Sequence, residues 1–209
     1  MTTSFPTQAD RNMITYPRAL NHIGLTVPDI YPAIDWYSEV LGFTLLMGPR
    51  VLDAGEQNEK RAAVIMGPRF RKAYQAQLMT ANGVGLELFQ YVDPAVVPYA
   101  PDLNMEYWRQ GYWHLCYTDP NVEALLEKIV ATGGKQRTPV FPMIPGKPYR
   151  LAYAEDPFGN VFEVLSHSFA EAWANWPQPG MDWPVTLVNR DGTETTMSNP
   201  AIPRTERQP

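Results

Sequence analysis

Residues 22–30 read His22-Ile-Gly-Leu-Thr-Val-Pro-Asp-Ile30, and residues 114–122 read His114-Leu-Cys-Tyr-Thr-Asp-Pro-Asn-Val122. His, Thr and Pro stand in register, and Ile/Leu, Asp/Asn and Ile/Val are alike. Each copy runs into a helical pattern that stops at glycine, Leu41-Gly42 in the first and Gly133-Gly134 in the second. A second pair of stretches also matches: Gly83-Val-Gly-Leu-Glu87-Leu-Phe89 and Gly159-Asn-Val-Phe-Glu163-Val-Leu165. Each half therefore opens on a histidine in a strand and closes on a glutamate in a strand. Internal repetition is read first, because missing it miscalls the fold.

Outward from these anchors, residues 20–27 alternate as a strand does. Asp29 sits where a helix N-cap belongs, Pro32 is tolerable only in a first turn, and Gly42 supplies the C-cap. Ile30, Ile34, Tyr37 and Leu41 fall on one helical face. Strands are predicted at 43–47, 62–66, 76–80 and 85–91, giving β-α-β-β-β. The polar segment 49–61 holds this copy's extra length: 65 residues separate His22 from Glu87, but 49 separate His114 from Glu163. The second half predicts a strand at 112–118, a helix at 121–132 with Val122, Leu125, Leu126 and Ile129 inward, and strands at 136–141, 150–155 and 161–166. Asp156-Pro157-Phe158-Gly159-Asn160 is turn chemistry, since Pro and Gly preset its dihedrals.

The organisation expected is an N-terminal arm over 1–18, a domain over 19–166 with modules 19–91 and 112–166, and a tail over 167–209. Residues 92–111, rich in Pro, Tyr and Trp, join the modules. The tail carries Trp173, Trp176 and Trp183 and a hairpin signal at Asn189–Thr193. Three tryptophans are too apolar for a solvated tail, so packing on the domain or on a second subunit is expected.

With 209 residues, 44% hydrophobic and 19% charged, the chain is an ordinary globular one with room for a core. A net charge of −5 argues against nucleic acid or an anionic membrane as its partner. The N-terminus MTTSFPTQADR lacks a signal-peptide pattern, and no apolar run approaches membrane-spanning length. The single cysteine, Cys116, excludes an internal disulfide and suits a reducing compartment. A cytoplasmic protein is expected.

His22, Glu87, His114 and Glu163 each sit among apolar strand neighbours. One such histidine is usually a hydrogen-bonded core residue, and one such glutamate is salt-bridged or solvated. Four at equivalent points of two copies are hard to explain that way, because a buried unpaired carboxylate costs several kcal/mol, roughly, or neutralises. A shared divalent cation resolves all four: two carboxylates balance its charge and two neutral imidazoles complete a mixed N/O set.

The pieces His22-Ile-Gly-Leu-Thr-Val-Pro-Asp29, Trp36-Tyr-Ser-Glu-Val-Leu-Gly-Phe43, Gly85-Leu-Glu-Leu88, His114-Leu115 and Glu155-Asp-Pro-Phe-Gly-Asn-Val-Phe-Glu163 together resemble the vicinal oxygen chelate superfamily. That group includes glyoxalase I, methylmalonyl-CoA epimerase, fosfomycin- and bleomycin-resistance proteins and extradiol dioxygenases. The resemblance spans about residues 19–166. It implies an α+β fold in which two βαβββ modules form a cupped eight-stranded mixed sheet around a divalent metal (Ni, Zn, Co, Mn or Fe). Carried over by position, the ligands are His22, Glu87, His114 and Glu163.

Four protein ligands out of about six leave two adjacent positions for a substrate with neighbouring oxygens. The resemblance then implies an isomerase, epimerase or lyase acting through a metal-bound enediolate, with Glu163 or Glu87 carrying the proton. An extradiol dioxygenase with Fe(II) on two histidines and one carboxylate is the alternative, and Glu87 is its obstacle. The aromatic set Phe89, Tyr91, Tyr99, Tyr107, Trp108, Tyr112 and Trp113 suits a ring substrate, although core packing and subunit contact account for most of it. A third reading is a non-catalytic, ligand-sequestering protein, against which the intact quartet counts. Lys60, Arg61, Arg69, Arg71 and Lys72 offer a clamp for a carboxylate or phosphate, or simply a solvated loop. Cys116 shares a strand face with His114, and a small buried thiol is its default reading. His167 has no assigned role, and Asn160 belongs to the turn. The expected partners are a small-molecule substrate and a second copy of the chain.

Overall fold

The computed structural model describes residues 17–55, 60–99, 107–174, 178 and 185–197. The first half is β1 (His22–Thr26), α1 (Ile30–Leu41), β2 (Thr44–Asp53), α2 (Lys60–Met66), β3 (Lys72–Met79) and β4 (Gly85–Asp93). Asp29 caps α1 by accepting from the Tyr31 amide, and Gly42 ends it in the left-handed region at φ 71°. The helix buries Ile30, Ala33, Ile34, Trp36, Tyr37 and Val40. The sheet order is β1-β4-β3-β2, with β1 parallel to β4 and the other pairs antiparallel.

The second half repeats the plan with β5 (Leu115–Thr118), α3 (Val122–Ala131), β6 (Lys135–Gln136), β7 (Phe141–Pro142), β8 (Arg150–Glu155) and β9 (Val161–Leu165). Here β5 is parallel to β9, β8 is antiparallel to β9, and β6 and β7 both pair with β8. The fold is α+β. Among the described residues the strands of the two modules form two hydrogen-bonded sheets, joined through a common core.

That core lies on the helix side. Leu78, Leu86 and Leu88 of the first sheet meet α1, Ala152 and Ala154 of the second meet α3, and Phe162 sets its ring against Trp36 of α1. Fully burying a Leu or Ile such as Leu88 or Ile129 stabilises by about 1.5–3 kcal/mol each. Polar contacts also tie the halves. Trp36 Nε1 donates to Thr132 Oγ1 at 3.0 Å, Lys128 Nζ donates to the Glu39 carbonyl, and Tyr37 Oη donates to Asp156 Oδ2 at 2.6 Å.

Several boundaries differ from expectation. Residues 62–66 are the end of α2, not a strand. A five-residue apolar run is ambiguous between the two, and here Ala62 and Met66, one turn apart, pack on Leu52, Phe70 and Phe89 while Val64 and Ile65 face outward. Strand β2 continues to Asp53, well into the segment expected to be loop, with register shifts on the way. The strand expected at 136–141 is the two short pieces β6 and β7, and β5 begins at Leu115 rather than 112.

Beyond the repeat, α4 (Phe169–Trp173) carries a Ser168/Glu171 capping box and buries Ala172 against Leu151 and Leu165. Strands β10 (Val185–Val188) and β11 (Glu194–Met197) pair across the Asn189–Thr193 turn. Most of the arm, with Trp176 and Trp183, lies outside the described residues.

Gly134 packs too closely for any side chain. A Cβ there would stand 2.5 Å from the Glu155 carbonyl oxygen and 2.6 Å from Ile129 Cγ2. Gly134→Ala is expected to destabilise by about 2 kcal/mol, the usual scale of overpacking, read as a lower urea midpoint at unchanged slope.

Candidate metal centre

In both halves the parallel ladder places the histidine beside the glutamate. Glu87 pairs with Gly24 and Glu163 pairs with Cys116, each two residues after the histidine, so side-chain alternation puts His and Glu on one face. Gly85 sits directly across from His22, and a Cβ on it would stand 2.9 Å from His22 Cβ. The face concerned is the one away from the helices, since the neighbours of Glu87, Leu86 and Leu88, point into the core.

His22 Nε2 lies 3.4 Å from Glu87 Oε2, and His114 Nε2 lies 3.4 Å from Glu163 Oε2. That spacing is longer than a charge-assisted hydrogen bond, about 2.7–2.9 Å. Both are donor atoms of the kind a divalent cation takes. The His22 Nδ1 side is already engaged, 2.7 Å from Asn21 Oδ1. An amide oxygen can only accept, so in the neutral ring this contact favours the proton on Nδ1 and leaves the lone pair on Nε2.

Glu87 is held by two glutamines. Gln77 Nε2 donates to Oε1 at 2.6 Å, Gln75 Nε2 lies 3.4 Å from the same oxygen, and Arg50 Nε donates to Gln75 Oε1 at 2.9 Å. Glu163 faces the Cys116 thiol instead. Desolvation, then the Glu163 charge and hydrogen bond, push that thiol up to about 12, so it stays protonated. His114 is flanked edge-on by Trp113 at 4.3 Å and Tyr153 at 5.3 Å between ring centroids.

Each expected ligand is thus beside its partner from the same half. Among the described residues no three His, Cys, Asp or Glu side chains stand close enough together to hold one ion. Both histidines, however, line a single cavity between the β1 and β5 edges. The donor chemistry suits a divalent cation: two neutral imidazoles and two carboxylates, with one histidine tautomer favoured and one carboxylate oriented.

The other candidates sort clearly. Phe89 and Tyr91 stack on each other in the cluster under α2, whereas Tyr99, Tyr112 and Trp113 line the cavity. Of the basic cluster, Arg71 Nη1 donates to the Pro68 and Phe70 carbonyls and Lys72 lies over the Tyr74 ring; Arg61, Arg69, Arg71 and Lys72 stand outside the cavity lining. His167 bonds Ser166 Oγ, and Asn160 bonds Asp156 within the turn while also lining the cavity. Sequence reading missed Asn21, Gln75, Gln77 and Tyr153. The signal for the glutamines was present in β3, where Gln75 and Gln77 alternate with the core residues Ala76 and Leu78.

Two modules of like topology, each displaying a His–Glu pair on its sheet, make up the architecture. The chain belongs to the Glyoxalase/Bleomycin resistance protein/Dioxygenase superfamily, whose family model matches residues 19–164. No curated protein sequence matches it significantly. Among solved structures it resembles a glyoxalase family protein of Bacillus cereus, with 18% identity over 74% of this chain and 97% of that one at a TM-score of 0.61. It also resembles a glyoxalase/bleomycin resistance protein/dioxygenase domain from Frankia sp., with 18% identity over 73% and 100% of the two chains at a TM-score of 0.52. A third likeness is a variant of the fosfomycin resistance protein FosX of Listeria monocytogenes, complexed with Mn(II) and 1S,2S-dihydroxypropylphosphonic acid. Its identity is 15% over 77% and 100% of the chains, with a TM-score of 0.50. At these identities the likeness is one of fold.

Gln77 makes the shortest bond to a proposed ligand. Gln77→Leu keeps its bulk and removes its donor; it is expected to weaken metal binding about tenfold, measured by chelator competition.

Proposed function

We propose that the chain is a divalent-metal-dependent isomerase, epimerase or lyase acting on a small substrate with two adjacent oxygens. The observation that carries this is the matched pair of His–Glu contacts, 3.4 Å in each half, with both histidines on one cavity. His22, Glu87, His114 and Glu163 would hold the ion. When bound, it polarises a substrate carbonyl and offsets negative charge building on the neighbouring oxygen.

The remaining work falls to the chain's carboxylates. Glu87 has one oxygen tied to Gln77 and is the better fixed of the two. Glu163, facing only a weakly donating thiol on that side, is the better proton carrier. It takes the proton from the carbon next to the carbonyl and returns it to the adjacent carbon or to the opposite face of the same one. The extradiol alternative needs one carboxylate to stand apart from the ion. Glu87 lies as near its histidine as Glu163 does, which favours the four-ligand reading.

A second copy of the chain and a cytoplasmic setting are part of the proposal. No helix among the described residues is long and apolar enough to cross a membrane. Elemental analysis of the purified full-length protein tests the reading, with about one divalent ion per chain expected. Anaerobic iron loading followed by oxygen uptake with catechols separates the alternative, for which rapid uptake is the signature. A chain that takes up no divalent metal is the sequestering protein instead.

A further inference from the structure

Trp108, Tyr107 and Trp113 form a row of touching rings beside His114. Tyr107 meets Trp108 edge-on at 5.2 Å between centroids and lies 5.9 Å from Trp113, which meets His114 edge-on at 4.3 Å. Trp113 also lies 5.1 Å from Tyr153, the residue paired with Glu163 across the β8–β9 ladder. Burial falls along the row. Trp113, His114 and Tyr153 are half-buried, whereas Tyr107 is 62% and Trp108 69% exposed. The row thus runs from one of the His–Glu pairs out to solvent. Packing does not explain its outer end, since Trp is a side chain that folding usually buries. Other ring contacts lack this course: Trp36–Tyr37 stays in the core, and Phe89–Tyr91 and Phe169–Trp173 run through Phe.

Indole and phenol can each give up one electron to a strong biological oxidant, and a phenyl ring cannot. Electron tunnelling weakens exponentially with distance, so rings in contact exchange an electron far faster than rings apart. An oxidised phenol must also shed its proton, which water accepts at an exposed ring. Tyr107 has that water around it, so an electron vacancy that starts on Trp113 is drawn outward.

We propose that Trp113 and Tyr107, with Trp108 as a further exit, form an electron-transfer path that carries oxidising equivalents from the His114 side to the surface. The oxidant is a diffusible radical of the peroxyl class. It takes one electron from the Trp113 indole and one proton from water, becoming a hydroperoxide, while the indole N–H proton goes to water. The Trp113 radical next takes an electron from Tyr107 and a proton from water, and the Tyr107 phenol releases its proton to water. A soluble thiol then gives its S–H hydrogen atom to the Tyr107 oxygen, which restores the phenol and leaves a thiyl radical in solution. His114 and Trp113 are thereby spared oxidation. The path needs no metal, so it is independent of the metal reading above.

Pulse radiolysis of the full-length protein tests it, because azide radicals at neutral pH oxidise indole in preference to phenol. Phenoxyl absorption that replaces indolyl absorption then reports transfer between rings. Wild type is expected to show a fast phase of this exchange whose rate does not depend on protein concentration. Tyr107→Phe should lose most of that phase, and peptide mass spectrometry should find more oxidised Trp113 in it than in wild type. Tyr31→Phe removes a ring about as exposed, at 64%, but on α1 and outside the row; it should change neither readout. Tyr107 is a surface residue, so its variant keeps the fold, which circular dichroism checks. Retention of most of the phase in Tyr107→Phe, a rate that scales with concentration, equal Trp113 oxidation in both proteins, or a like effect of Tyr31→Phe overturns the inference. So does loss of the phase in Tyr153→Phe alone, which would leave the radical beside Glu163 instead of at the surface.

Discussion

Glu163→Gln is expected to lower the metal bound per chain at least about tenfold, and His22→Ala is expected to do the same, since loss of even a supporting contact costs about 10–100-fold. The glutamine variant keeps the shape of Glu163 but removes one of the two charges that balance a dication. The alanine variant removes a nitrogen donor whose binding tautomer the Asn21 contact favours. The two changes lie in different halves, and that makes them informative together. If one ion is shared by both pairs, either change empties it. If each pair bound its own ion, either change would leave the other site filled at unaltered affinity. Plasma emission analysis after dialysis against a weak chelator reads both quantities. Full occupancy in both variants, or two independent ions per wild-type chain, would end the shared-ion proposal.

The repeat that leads to these residues was legible because strand alternation and helix capping are local. His22, Pro28, Asp29 and Gly42 announce β1 and α1 whatever surrounds them, and His114 through Gly134 do so again. That each half opens on a histidine and closes on a glutamate was legible too, whereas their standing side by side follows from the parallel β1–β4 and β5–β9 ladders of the folded chain. What failed depends on tertiary context. Residues 62–66 carry only five apolar positions, and their helical state is decided by Leu52, Phe70 and Phe89 beneath them. The support of Glu87 by Gln77 and Gln75 was missed because their importance follows from register across β3 and β4, not from spacing along the chain. The distribution of strands over two sheets likewise depends on how α1 and α3 pack, which no single-strand pattern encodes.

Asp156→Ala is expected to destabilise the chain by about 3 kcal/mol, the lower end of the cost of breaking a buried charged network, and to lower Tm by about 6–12 °C for a chain of this size. The carboxylate is 1% exposed. It accepts from Tyr37 Oη at 2.6 Å, Asn160 Nδ2 at 2.8 Å, and the Phe158 and Asn160 amides at 2.9 Å each. One residue thereby holds the β8–β9 turn of the second half and the α1 helix of the first. Tyr37 and Asn160 both line the cavity, so the same network sets the spacing of its walls. Tyr37→Phe deletes only one donor and should cost about 1–1.5 kcal/mol. The pH dependence identifies which force dominates at this carboxyl. Burial lifts it above its ordinary range, against hydrogen bonds that lower it. A raised folded-state value means its contribution to stability is fully present below the unfolded value, about 3.9, and is lost as pH rises through the raised one. Asp156→Asn lacks this titration. The stability of wild type relative to Asp156→Asn should therefore fall over that interval and stay level above it. A relative stability that climbs with pH would show that the hydrogen bonds, not desolvation, govern this carboxylate.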